Sequence, residues 1–306
     1  MLLKPIHVAL SNGVLTVVAV LMCTAPLFAG GGWVDPPWNG GARFGYDRKY
    51  QADAIRRDDN GISYTSLYNL THDYRFAFLS GDIGLPFGFE LDVIATYLWA
   101  HELVDSASED PSRIFKGFSD MYVGVKYQLL NGTFPTAIGI SARLPLLYKS
   151  SSTLNGQLLT SIPGLFTHDY DLIAYCSHSF DARWYASAQT GFKLREGAFA
   201  HQITFAIESG YRLPILSDHV LVQAALDGAF SVGGPGYASS LDRFQPGEDT
   251  PGHYFNYNNA SYVRPTIAVN AEIIPHAVAT LGVSLIAWGI NVDVYREFFV
   301  QAGYAF

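Results

Sequence analysis

Beyond its first thirty residues this 306-residue chain has no apolar run approaching the roughly 20 residues that a membrane-spanning helix needs. Charge is scarce too: only 15% of residues are Asp, Glu, Lys or Arg, while 49% are hydrophobic. Apolar surface on that scale, with no helical stretch to hold it, has to be spread through strands. Cysteine is almost absent, with Cys23 and Cys176 alone, so a disulfide-stapled scaffold is excluded. The net charge of −8 argues against a nucleic-acid partner. No Gly-x-Ser-x-Gly occurs, and no cluster of His, Cys, Asp or Glu has a metal-ligand spacing. Neither an enzyme nor a cofactor is expected. What is abundant is Gly (29), Phe (20) and Tyr (19), in short alternating segments.

The N-terminus has a different character. Lys4 and His7 precede an apolar run from Val14 to Cys23, and small residues close the stretch at Ala29. This is the pattern of a secretory signal peptide, too short and wrongly flanked for a spanning helix. Met22 before Cys23 is not small, which argues against a lipid-anchoring site. We therefore expect a signal over 1–29, a short periplasmic segment over 30–41 and one domain over 42–306. Export leaves Cys176 as the single thiol.

Period-2 segments between turn signals read as twelve strands. They fall at about 42–51, 74–85, 89–101, 118–130, 134–147, 170–178, 182–195, 201–213, 220–232, 262–274, 277–288 and 295–306. Short turns such as Pro86-Phe87-Gly88, Asn131-Gly132-Thr133 and Pro275-His276 follow every second strand. The longer connections, at about 52–73, 102–117, 148–169 and 233–261, all fall on the other side. Short periplasmic turns and long extracellular loops characterise outer-membrane barrels, whose strand number is even. A soluble sandwich has no reason to segregate its loops this way.

The faces agree. Met121, Val123, Val125, Tyr127 and Leu129 oppose Asp120, Tyr122, Gly124, Lys126 and Gln128, and Ile203, Phe205 and Ile207 oppose Gln202, Thr204 and Glu208. A charge on a lipid face costs roughly 2–4 kcal/mol at the midplane, so the charged set is assigned to the lumen. The second and sixth strands alternate poorly. In the last strand Phe298, Val300, Ala302, Tyr304 and Phe306 share one face, and pairing it on both sides by closure removes an aggregation-prone edge. The fold expected is thus an all-β, transmembrane antiparallel barrel of about 12 strands, closed by a C-terminal strand ending in Phe306. A terminal Phe on such a strand resembles the usual ending of bacterial outer-membrane barrels. It implies the barrel-assembly machinery and outer-membrane lipid as partners, and the outer membrane of a Gram-negative cell as location.

Two paired stretches, Gly117-Phe118-Ser119-Asp120-Met121-Tyr122-Val123-Gly124-Val125-Lys126-Tyr127 and Ile140-Ser141-Ala142-Arg143-Leu144-Pro145, resemble strands of outer-membrane transporters grouped with the meta-pathway of phenol degradation. Gly191-Phe192-Lys193-Leu194-Arg195 and Gly210-Tyr211-Arg212-Leu213-Pro214 recur in similar places. The resemblance covers roughly 40–230 and implies passage of small, aromatic or hydrophobic solutes. Where that family has Pro-Thr-Gly after the fifth strand, this chain has Pro145-Leu146-Leu147. The competing expectation is a structural or adhesive barrel with a plugged lumen.

Lumen-lining candidates are Lys126, Arg143, Lys193, Glu208, Arg212, Asp227, Arg264 and Glu272, together with Glu90, Asp92 and Asp120. They form either a selective pore lining or ion pairs that brace the barrel. Tyr237, Phe244, Tyr254 and Tyr257 in the longest loop offer aromatic faces to a small ligand, or belong to an ordinary aromatic girdle. Asp242, Glu248 and Asp249 match no calcium loop. His178-Ser179 lacks a third residue to orient the His, which makes a lipid hydrolase the weakest reading. Thr71-His72-Asp73-Tyr74 and Thr167-His168-Asp169-Tyr170 repeat before two strands and read as turn chemistry.

Overall fold

In the computed structural model, residues 31–51, 55–57, 60–65, 71–103, 112–145, 153–154, 157–158, 168–196, 200–215, 218–233 and 260–306 are described. Among them twelve long strands form one closed antiparallel barrel: β1 Gly40–Tyr50, β2 Thr71–Leu85, β3 Phe89–Leu103, β4 Ser112–Leu130, β5 Thr136–Pro145, β6 Asp169–Ser179, β7 Trp184–Arg195, β8 His201–Leu213, β9 Val220–Gly233, β10 Ser261–Ile274, β11 Ala277–Leu285 and β12 Arg296–Ala305. Each strand pairs with its neighbour in sequence, and β1 pairs with β12, Gly41 opposite Ala305 and Tyr50 opposite Arg296. Gly40 and Phe306 exchange both backbone hydrogen bonds, at 3.1 and 2.9 Å, and seal the seam at the turn end. Closure leaves no unpaired edge in the ring.

Side chains alternate as the pleat demands. On β8, Ile203 and Ile207 are exposed on the outer surface, while Gln202, Ala206 and Glu208 are buried inside. The outer surface carries Phe44, Leu79, Ile140, Leu172, Ile267 and Leu281, all more than half exposed, as a barrel facing hydrocarbon requires. One irregularity matters for face assignment. Between β3 and β4 the register slips, with Ala95 opposite Met121 but Tyr97 opposite Phe118. The extra residue on β4 lets Phe118 and Met121 both turn outward despite their opposite parity.

The loop end carries small additions. Ile55–Arg57 pairs with Ser63–Thr65 and with Val292–Asp293, and Trp288–Ile290 pairs with the start of β10. The eleventh strand, expected to reach residue 288, ends at Leu285 because Trp288 returns to β10 instead.

Candidate functional site

The inner wall falls into zones that the strand register sets. Toward the loop end, charges pair across neighbouring strands. Arg264 on β10 holds Asp227 on β9 at 3.1 Å and also binds Glu297 on β12, which takes Ser284 at 2.7 Å and Lys49 at 3.7 Å. On the facing strands Arg143 lies 2.9 Å from Asp169 and 3.8 Å from Asp120, Arg195 approaches Asp169 at 3.8 Å, and Lys193 lies 3.7 Å from Asp171.

Nearer the turn end a chain of mostly neutral polar side chains runs among further charges. Tyr185 donates to Glu208, Gln223 donates to both, Asn270 donates to Gln223, and Thr280 donates to Asn270 at 2.6 Å. This chain of hydrogen bonds crosses β7, β8, β9, β10 and β11, each side chain buried. Lys126 and Glu90 form a buried pair at 2.7 Å. At the turn-end rim Arg212 donates to Asp218 O at 3.1 Å, and Glu272 meets His219 at 2.9 Å. The structure therefore brings together three pairs of the expected lumen residues, Arg264 with Asp227, Lys126 with Glu90 and Arg143 with Asp120, while Lys193 meets Asp171, Glu208 meets Tyr185, Arg212 meets Asp218 and Glu272 meets His219. Tyr237, Phe244, Tyr254 and Tyr257 lie outside the described residues, as do Asp242, Glu248 and Asp249. His178 points outward at the turn end, 2.7 Å from Thr133 O and stacked on Phe134.

A third zone is apolar. The register of β2 with β1 and β3 puts Tyr74, Phe76 and Phe78 on the inner face, next to Ile94 and Leu98 of β3. Phe78 lies across Gly45, where a Cβ would stand 2.3 Å from the ring, and Phe299 of β12 lies across Gly282 in the same way at 2.0 Å. Two glycines thus make room for rings laid flat on the wall. Lys49 sits over the Phe76 ring, 5.2 Å from its centroid, where the π face attracts the ammonium. Sequence periodicity missed this stripe because β2 carries apolar residues on both faces, Ala77 and Leu79 outward and Phe76 and Phe78 inward, and charges on both, Arg75 outward and Asp82 inward. Its weak alternation was the one visible sign.

Residues 31–39 form the fourth part. Gly32 N donates to Ser177 Oγ at 2.6 Å, Gln128 Nε2 donates to Gly32 O at 2.7 Å, and Asp35 N donates to Glu90 Oε2 at 2.8 Å. Trp33 packs edge-on against Tyr185 with ring centroids 6.1 Å apart, and against Leu221. These partners come from β3, β4, β6, β7 and β9, so the segment lies across the inside of the barrel at its turn end. Toward β10–β12 a cavity of about 30 Å³ remains, lined by Asp35, Arg43, Asp82, Asn270, Thr280 and Gln301. It has room for a water or two. Burial raises the Asp35 carboxyl from its ordinary 3.8 to about 8, and the neighbouring Glu90 and Asp82 carboxylates push it the same way against Lys126. No spacing rule marks 31–39 as a lumen segment. Trp33, directly after three glycines, was the available hint.

No protein-family model and no curated protein matches the sequence. Solved structures do. The chain is similar to an outer membrane channel from Pseudomonas putida F1, with a TM-score of 0.63 and 12% identity over 92% of this chain and 100% of that one. The beta domain of the Bordetella autotransporter BrkA aligns with a TM-score of 0.49 and 11% identity, covering 89% of this chain and 100% of that one. The monoaromatic hydrocarbon channel CymD aligns at 0.41 and 8% identity, over 88% of each chain. At 12% identity the first likeness is one of fold, and the fold is the twelve-stranded outer-membrane barrel.

Proposed function

We propose that the chain is an outer-membrane channel for small aromatic or hydrophobic molecules, exported by a signal over residues 1–29. The observation that carries this reading is the apolar inner patch of Phe76, Phe78 and Ile94, backed by the buried Leu98 and lying beside ion-paired walls. A barrel needing only internal bracing gains nothing from glycines that flatten rings against its lumen. A solute with a π face gains a surface to slide along. The resemblance to transporters grouped with phenol degradation supports the same solute class, and the fold shared with an outer membrane channel is compatible with it. In this reading residues 31–35 close the periplasmic mouth, and passage of anything larger than water requires their displacement.

The tight lumen favours a second reading, a structural barrel that conducts nothing. Liposome uptake of small phenols, measured beside planar-bilayer conductance, separates the two. The channel reading expects uptake above protein-free liposomes, a rise when residues 31–35 are deleted, and a fall when Phe76 and Phe78 both become Ala. Uptake at the protein-free level both with and without residues 31–35 leaves the structural barrel.

A further inference from the structure

The outer surface holds charges that neither reading uses. Arg48 on β1 and Arg75 on β2 stand directly opposite each other on the outward face, two and four residues from the loop ends of their strands. Like charges directly opposed across a strand pair repel. Asp73, also outward and opposite Tyr50, takes both. Arg48 donates to it at 2.8 and 3.0 Å, and Arg75 at 2.7 and 3.2 Å. The carboxylate is 6% exposed beneath guanidinium groups that remain 44% and 48% exposed. One carboxylate for two guanidiniums leaves this trio with one net positive charge on the lipid-facing surface. The same outward row continues into aromatics, with Phe298 opposite Arg48 on one side and Trp99 opposite Arg75 on the other. Tyr50 lies under the Arg48 guanidinium, 5.2 Å from the ring centroid.

We propose that Arg48 and Arg75 form a binding site for the phosphate of an outer-leaflet lipid, resting on the outer-membrane reading with the long loops outside. An uncompensated charge is tolerated on a barrel's lipid face only near the interface, which is where lipid phosphates lie. A guanidinium has five N–H donors in a planar fork suited to phosphate. Each of these arginines directs Nε and one Nη toward Asp73, and their exposed edges face outward. The register of β1 with β2 sets the two forks side by side, at the spacing of a single strand pair, with the Asp73 carboxylate between them as the anion a phosphate would displace. Phe298 and Trp99 on either side suit the boundary between headgroup and acyl chain.

The test uses the full-length protein folded in detergent and probed with hexa-acylated, bis-phosphorylated lipid A, the same lipid enzymatically stripped of phosphate, and inorganic phosphate. Binding is read by native mass spectrometry and by the shift in heat-modifiable gel mobility. The expected result is retention of the phosphorylated lipid at least tenfold better than of the stripped lipid, with inorganic phosphate giving no shift. Arg48→Gln with Arg75→Gln should lose that preference. Asp73→Asn, which frees both guanidiniums while disturbing the fold in the same place, should keep or strengthen it. Equal retention of the two lipids overturns the site, as does loss of the preference in Asp73→Asn. A full shift with inorganic phosphate overturns the assignment to lipid.

Discussion

Replacing Lys126 by Met tests whether the inner wall is braced by ion pairs. Lys126 Nζ lies 2.7 Å from Glu90 Oε1, with the side chains only 6% and 7% exposed. At that distance an effective dielectric of about 20 gives roughly 6 kcal/mol of attraction, and desolvation of both groups offsets most of it. Removing one partner is a different matter, because Glu90 is left as a buried charge without its cation. That costs about 3–5 kcal/mol. Glu90 Oε2 also accepts Asp35 N–H at 2.8 Å, so the loss reaches the segment across the mouth. In the double variant Glu90→Gln with Lys126→Met no charge is stranded, and Gln can still accept from Asp35. We expect that variant to lie within about 2 kcal/mol of the natural protein. Urea unfolding of refolded protein in detergent, followed by the folded gel band, gives all four corners of the cycle. A cost below about 1 kcal/mol for Lys126→Met, or single costs that simply add in the double variant, refutes the bracing account.

Val125, next along β4, faces outward, and Val125→Arg should cost about 2–4 kcal/mol and reduce the yield of folded barrel in a vesicle-folding assay. Gly282→Val should destabilise by about 1–3 kcal/mol because its Cβ would meet the Phe299 ring, whereas Gly117→Ala, with nothing near the new methyl, should change urea stability by less than about 0.5 kcal/mol. Docking of residues 31–39 should depend on pH through Asp35, which faces Glu90, Asp82, Lys126 and Arg43. Its raised value means the docked state holds the proton more tightly, so docking is strongest below about 4 and weakens as pH rises toward about 8. Phenol uptake should therefore increase over that window and become pH-independent in Asp35→Asn; an unchanged profile in Asp35→Asn removes Asp35 from the account.

The barrel itself was legible in the chain because its physics is local. Hydrocarbon outside and polar groups inside impose a period of two on each strand, and Ile203, Ile207, Val123 and Val125 display it without reference to any neighbour. Loop lengths that alternate between the two ends fix the topology in the same way. What the sequence left open is what depends on which strands stand side by side. The two Thr-His-Asp-Tyr repeats show this. Asp73 and Asp169 occupy the same place in the same four residues, yet Asp73 faces outward between two arginines and Asp169 faces inward between Arg143 and Arg195. Register against the adjoining strand decides the face, and a shift of one residue reverses it. The aromatic inner stripe escaped the pattern because β2 puts apolar and charged residues on both faces, Leu79 and Arg75 outward and Phe78 and Asp82 inward, which erases the alternation. The segment across the mouth escaped it because its partners, Ser177, Gln128, Glu90, Tyr185 and Leu221, come from five strands and meet only when the sheet closes. Period along the chain determined the wall; only closure of the ring decided what fills it.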